Sequence, residues 1–337
     1  MHVKKLLLPF FVFFLLGALS AQDVHFTQYY MAPTSLNPAM IGKFEGTARI
    51  GGIYRDQWRS ILNSNRYGTP SAFIDAPIIP GFRKKDWIGA GLTFVSDRVG
   101  SGALRTTVGK LGASYHLSLD KKGNTYVSIG GDYGRTNRRV NDNFDFEDEL
   151  TMGFPSSADD QRLGQTNKKD WSDISAGIVL SSRLNKQMDF NIGFSMFHLG
   201  KPNYGILNQT EKIPQRSVVH GQFNIGLTDR WTVSPAFFYQ TMGGANEIDV
   251  QGLAGYLLNP EKDIRVNIGV GYRFRDALNA LAGIQYKDLR VGLAYDINTS
   301  DLTSVTNGRG GFELAANYVI KIYKPAKIKP RVLCPRF

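Results

Sequence analysis

The sequence has 337 residues, a single cysteine (Cys334) and a formal charge of +11 at pH 7. One cysteine excludes an intrachain disulfide framework, and the length is ample for one large barrel or two soluble domains. Glycine is frequent (36), aromatics make up 12% and mean hydropathy is −0.23, values that fit either a soluble protein or a barrel whose strands keep one face toward water.

The chain opens with "MHVKKLLLPFFVFFLLGALSA": two lysines, an apolar run from Leu6 to Leu16, then small residues. This pattern predicts a secretory signal peptide over 1–21, cut after Ala21. The run is short for a membrane anchor, and the cleavage region lacks the cysteine of a lipoprotein. No later stretch reaches 18 consecutive apolar residues, so the mature chain can enter a membrane only as a closed barrel. Export makes nucleic acid an unsuitable partner. Removal of Lys4 and Lys5 leaves 38 basic against 29 acidic residues, a formal +9.

The next stretch, 22–45, departs from any strand pattern. Pro33 and the pair Asn37-Pro38 exclude a regular central strand. Phe26, Tyr29, Tyr30 and Met31 are too apolar to remain solvated. The segment is expected to pack into a lumen or to dock on a partner, on the periplasmic side of the barrel. The bland alternative is a disordered lead-in.

From 46 to 323 the chain alternates with a period of two. In "RVNIGVGYRF" (265–274), Val266, Ile268, Val270, Tyr272 and Phe274 face one way; Arg265, Asn267, Gly269, Gly271 and Arg273 face the other. The same alternation recurs in "KLGASYHLSL", "DFNIGFSM", "QFNIGL" and "RVGLAYDIN". It predicts about fourteen strands, near 46–57, 69–77, 87–97, 103–119, 125–137, 171–183, 188–198, 216–228, 231–241, 247–258, 264–274, 277–286, 289–298 and 310–323. Short gaps (120–124, 184–187, 228–230, 287–289) largely alternate with long ones (138–170, 199–215, 299–309). The fold class expected is all-β, a transmembrane antiparallel outer-membrane barrel with short periplasmic turns, long external loops and both termini periplasmic. The gap "RFRDA" (273–277) breaks the alternation, being short where an external loop is due. An exported β-sandwich would also alternate, but a sheet pair this long is unusual.

Sidedness follows from energy. With the apolar stripe toward lipid, Arg265 and Arg273 point into the lumen; the opposite register would cost roughly 2–4 kcal/mol per arginine near the midplane. Lumenal glycines leave room for a plug. Trp58, Trp87, Trp171 and Trp231 all fall near strand ends and are expected to form interfacial girdles.

No catalytic, cofactor-binding or metal site is expected. The histidines show no metal-ligand spacing, and there is no P-loop, GxGxxG or GxSxG motif. The acidic stretch "NDNFDFEDEL" (141–150) lacks the glycine and terminal glutamate of an EF-hand loop. A serine paired with His116 or His198 across the wall is the one enzymatic arrangement to consider, and nothing local supports it. The basic, proline-punctuated tail 324–337 is expected to meet an acidic partner or a lipid headgroup. It carries Cys334, whose thiol either pairs with a partner or is inert.

Several stretches taken in order resemble the PorP/SprF family of type IX secretion system membrane proteins of Bacteroidetes. They are Phe26, Gln28 and Tyr29; "NPAMIG" (37–42); "YRDQW" (54–58); "FHLGKPNYGIL" (197–207); "GVGYRFRDAL" (269–278); "VGLAYDINTSDL" (291–302); "GGFELAANY" (310–318); and "CPRF" (334–337). Asp56 departs from the "YRNQW" form. The resemblance implies an outer-membrane barrel working with other type IX secretion or gliding components, including a periplasmic or peptidoglycan-binding protein, and with an adhesin-type secreted cargo. Pattern and resemblance together nominate Phe26, Gln28, Tyr29, Asn37, Pro38, Arg55 and Trp58 as a lumenal or docking segment, and Cys334, Pro335, Arg336 and Phe337 as a periplasmic contact. The rival readings are a small-molecule or anion channel, with Arg265, Arg273 and Arg290 in its lumen, and a barrel enzyme acting on lipids.

Overall fold

A computed structural model describes residues 23–59, 67–100, 104–140, 168–205, 211–301 and 303–322. The signal stretch 1–21, the acidic stretch 141–150 and the tail with Cys334, Pro335, Arg336 and Phe337 lie outside the described residues.

Among the described residues, the alternating segments form β1 (Ala48–Gln57), β2 (Tyr67–Pro80), β3 (Trp87–Val99), β4 (Leu104–Ser118), β5 (Thr125–Arg139), β6 (Lys168–Arg183), β7 (Met188–Phe197), β8 (Arg216–Gly226), β9 (Trp231–Met242), β10 (Ala245–Asn259), β11 (Ile264–Arg273), β12 (Ala277–Tyr286), β13 (Leu289–Asn298) and β14 (Arg309–Ile320). They close into one antiparallel barrel in sequence order. β1 pairs with β14 from Ala48↔Ile320 to Gln57↔Gly311, so no sheet edge is left unpaired. The fourteen-strand expectation holds, with boundaries shifted by a few residues. The largest shift is in β2, which continues through Pro77 to Pro80. A register slip between Pro77 and Ile79 absorbs the missing proline donor.

The barrel has a turn end, where β1 begins and β14 finishes, and a loop end opposite. Connections at the loop end are unequal. β9–β10 turns through Gly243 and Gly244, both at positive φ, and β11–β12 needs only Phe274–Asp276. The rim is therefore low on that side. Across the barrel, β2 to β6 run 13–16 residues, against 10 each for β11 to β13, and the wall there is taller.

The apolar stripe faces outward. In β11, Val266, Ile268, Val270 and Tyr272 are 39–66% exposed, while Arg273 on the opposite face is 3% exposed. Ile74, Leu92, Leu111, Ile129, Ile178 and Leu293 repeat this around the wall. No helix among the described residues is long and apolar enough to cross a membrane.

The girdle expectation fails for two tryptophans. Trp87 and Trp171 fall in the inward phase of their strands: Trp87 stacks on His116 at 4.5 Å, and Trp171 lies under Arg138 at 5.4 Å. Nearness to a strand end does not fix which face a residue occupies; parity does. Trp231 does face out, against Tyr256.

Candidate functional site

The segment before β1 occupies the lumen. Its proline-restrained chain forms short helical turns at Tyr29–Met31, Pro33–Leu36 and Pro38–Met40. It runs from the loop end, where Asp23 lies, down to the turn end, where β1 starts. Of the two placements expected for this segment, lumenal or docked on a partner, the described residues take the lumenal one, and the first of them lie among the loop-end residues because the chain doubles back through the barrel.

At the loop end, the Asp23 carboxylate lies 3.4 Å from His198 Nε2 and 3.3 Å from Arg216 Nε, and His198 Nδ1 lies 2.7 Å from Asp173. Burial alone would lower the His198 pKa. The hydrogen bonds and negative charges of Asp173 and Asp23 outweigh it and raise the value to about 9. Burial likewise opposes the charge on Asp23, yet Arg216 and His198 hold its carboxyl well below the usual range.

One turn deeper, Thr27 is gripped by five strands. Its N–H donates to Glu313 Oε1 (2.7 Å), its hydroxyl to Asp296 (2.9 Å), and its carbonyl accepts from Gln251 Nε2 (2.8 Å). Arg55 and Arg273 both donate to its hydroxyl oxygen, at 2.8 and 2.6 Å. The Gln28 N–H donates to the second Glu313 oxygen (2.9 Å). Arg55 bridges Asp296 at 2.9 Å and Glu313 at 2.5 Å, and all three side chains are at most 3% exposed. Buried charges of this kind persist only when paired and hydrogen-bonded, and here the pairing includes the backbone of the threaded segment.

Midway, Tyr29 stacks on Phe238 at 5.2 Å and packs with Leu36, Phe197 and Val218. Phe26 packs with Met31, Ile53 and Ala315. The Asn37 amide donates to the Ile178 and Phe194 carbonyls (3.2 and 3.1 Å), lies 3.1 Å from His220 Nε2, and accepts from Ala39 N–H at 2.9 Å. Pro38 is buried in the turn that follows. Lumenal glycines make this approach possible: a Cβ on Gly177 would fall on the Asn37 amide oxygen, and one on Gly130 would sit 2.5 Å from the Pro38 carbonyl.

Near the turn end, Ser114 Oγ and His116 Nε2 converge on the Ile41 carbonyl at 2.5 and 2.8 Å, and His116 Nδ1 lies 2.7 Å from Ser128 Oγ. His116 therefore does meet serines; it is fully buried, and with Ser114 it contacts the Ile41 carbonyl of the segment. Gly42 follows at φ +69, donates to Asp75 (2.7 Å) and accepts from Trp87 Nε1 (2.9 Å). A side chain there is opposed both by the backbone angle and by Gly89. Below the segment, a cavity of about 1230 Å³ reaches the turn end, with Lys43, Arg49, Arg265, Arg290 and Asp189 in its walls.

The structure thus brings Phe26, Gln28, Tyr29, Asn37 and Pro38 together inside the barrel, with Arg55 of β1 reaching them. Trp58 stands apart, at the loop-end tip of β1, edge-on to Tyr67 at 5.0 Å. Thr27, the segment residue held by the most partners, and Asp296 and Glu313, which hold it, were not singled out from the sequence. A usable signal existed: a carboxylate in the inward phase of an alternating strand requires a cationic partner on a neighbouring inward position.

These features define a transmembrane β-barrel whose lumen is threaded by its own N-terminal segment. Among solved structures, the fold is similar to the CymD monoaromatic hydrocarbon channel (11% identity, TM-score 0.52, 87% of this chain and 93% of that one). It is also similar to the TodX deltaS2S3 mutant monoaromatic hydrocarbon channel (10% identity, TM-score 0.51, 86% and 94%). At such identities the likeness is one of fold. No curated protein matches the chain. Residues 18–318 match the family described as type IX secretion system membrane protein PorP/SprF, and the chain belongs to that family. It is an outer-membrane β-barrel.

Proposed function

We propose that this barrel is a non-enzymatic partner in type IX export, which helps to pass a secreted, adhesin-type protein outward or to hold it at the cell surface. The carrying observation is the threaded segment, fixed through its own backbone at Thr27, Gln28 and Gly42 to lumenal side chains. A segment threaded and anchored in the lumen in this way favours docking at the two ends over steady passage of solute. In this reading the turn end faces the periplasm and the long loops (138–170 and 199–215) face outward toward cargo, in keeping with the usual asymmetry of such barrels. The turn end and the tail 324–337, with Cys334 to Phe337, contact periplasmic machinery, including a peptidoglycan-binding protein.

The test is purification in mild detergent with mass spectrometry of co-purifying proteins, repeated after deletion of 324–337. Recovery of secretion components and a surface protein supports the reading, and loss of the periplasmic ones on truncation assigns them to the tail. Recovery of the barrel alone counts against it. A second reading, a small-molecule or anion channel, is favoured by the channel folds and by Arg265 and Arg290 in the cavity wall. A steady open conductance of the pure protein in planar bilayers would select it.

A further inference from the structure

The register of the tall wall aligns cations on its outer face. Arg98 pairs with Arg105, Arg105 with Arg139, and Arg139 with Lys168. All four are exposed and lie in the outward phase of β3, β4, β5 and β6. With strands about 4.8 Å apart, the row spans about 14 Å. Like charges directly opposite one another on adjacent strands are destabilising, and among the described residues no carboxylate forms an ion pair with any of the four. On one side the row continues to Gly68 and then to Asp56, which is already held by Arg59 and Tyr54. The next outward row toward the membrane is Ser96, Thr107, Asn137 and Asp170, where Asp170 accepts from Asn137 at 2.7 Å.

Below that row the face becomes apolar and concave. A groove of about 620 Å³ lies in the outer wall, lined by Ile74, Leu92, Phe94, Gly109 and Leu111, with Arg135 at its margin. Gly109 creates the hollow, since a Cβ there would meet nothing within 4 Å. Arg135 pairs with Gly109 and so stands between groove and row. Four cations could not sit at lipid depth without a penalty of roughly 2–4 kcal/mol each near the midplane, so the row marks the headgroup level and the groove the acyl level.

We infer that this face binds an acylated, phosphate-bearing lipid of the surrounding leaflet, its phosphates on the Arg98–Arg105–Arg139–Lys168 row and an acyl chain in the groove. Charge complementarity selects an anion, and the groove on the membrane side selects one attached to a lipid. The orientation proposed above makes this a glycolipid of the outer leaflet, but binding in detergent does not depend on orientation, so failure here leaves the export reading standing.

The experiment is native mass spectrometry of the detergent-purified full chain titrated with diphosphoryl lipid A, with its dephosphorylated form, and with inorganic phosphate. Wild type is expected to bind diphosphoryl lipid A at least tenfold more tightly than the dephosphorylated form. Inorganic phosphate is expected to displace it only weakly. Arg98→Ser, Arg105→Ser, Arg139→Ser and Lys168→Ser combined are expected to remove that preference. Gly109→Leu, which fills the groove and leaves the charges, is expected to weaken lipid binding by about tenfold. Equal binding of both lipid forms by wild type would overturn the inference without recourse to any variant, as would full displacement by inorganic phosphate or unchanged binding by the groove variant.

Discussion

Glu313→Ala is the most direct probe of the threaded lumen. The carboxylate accepts two N–H groups of the segment, from Thr27 and Gln28, and pairs with Arg55 while 1% exposed. Truncation leaves both N–H groups buried without an acceptor, at about 1–3 kcal/mol each. Arg55 keeps Asp296 and the Thr27 hydroxyl, so its loss is smaller than the roughly 3–5 kcal/mol of a fully broken buried pair. A working figure for the weakened grip is about 3–5 kcal/mol, which at 1.4 kcal/mol per decade shifts the seated-to-released equilibrium by about 10² to 10³·⁵. The barrel's own backbone ladder makes no use of Glu313's side chain, so release of the segment is expected with the barrel intact. The readout is thiol labelling of Thr34→Cys in a Cys334→Ser background, since Thr34 is 1% exposed and bonded to Thr93 in the lumen. Labelling is expected to accelerate by at least a hundredfold in Glu313→Ala, with a matching rise in planar-bilayer conductance. If labelling stays slow, or wild type already labels as fast as an exposed thiol, the reasoning about the grip is wrong.

Three further outcomes are expected. Gly177→Val should drive a branched side chain into the Asn37 amide and weaken seating by about 1–3 kcal/mol, seen as faster labelling at position 34, whereas Gly252→Val, which meets nothing within 4 Å, should leave it unchanged. His198 has its folded pKa raised to about 9 from 6.5, so its contribution is fully present below about pH 6.5 and is lost as pH rises through about 9. Labelling near Asp23 should quicken over that window, and a flat profile, or one retained in His198→Asn, would remove the latch. Ile268→Arg, on the lipid face, should lower folding stability in bilayers by about 2–4 kcal/mol near the midplane, while Asn267→Arg, one residue away and inward, should be far milder; equal losses would contradict the assigned sidedness.

The sequence by itself determined the strands and their two faces. The alternation in "RVNIGVGYRF" is a local property of an extended backbone, so each stretch states its own parity, and Arg273 could be assigned inward before any partner was known. Only the tertiary structure decided what those inward groups meet. Thr27 and Glu313 are 286 positions apart, and Arg98, Arg105, Arg139 and Lys168 form a row only through the register of four separate strands. Register and the path of a non-repetitive segment are set by long-range packing and by the pairing of buried polar groups, which leave no periodic trace in the chain. Hence the composition of 22–45 revealed a segment that must be covered, while its direction, loop end to turn end through the lumen, emerged only once the barrel had closed around it.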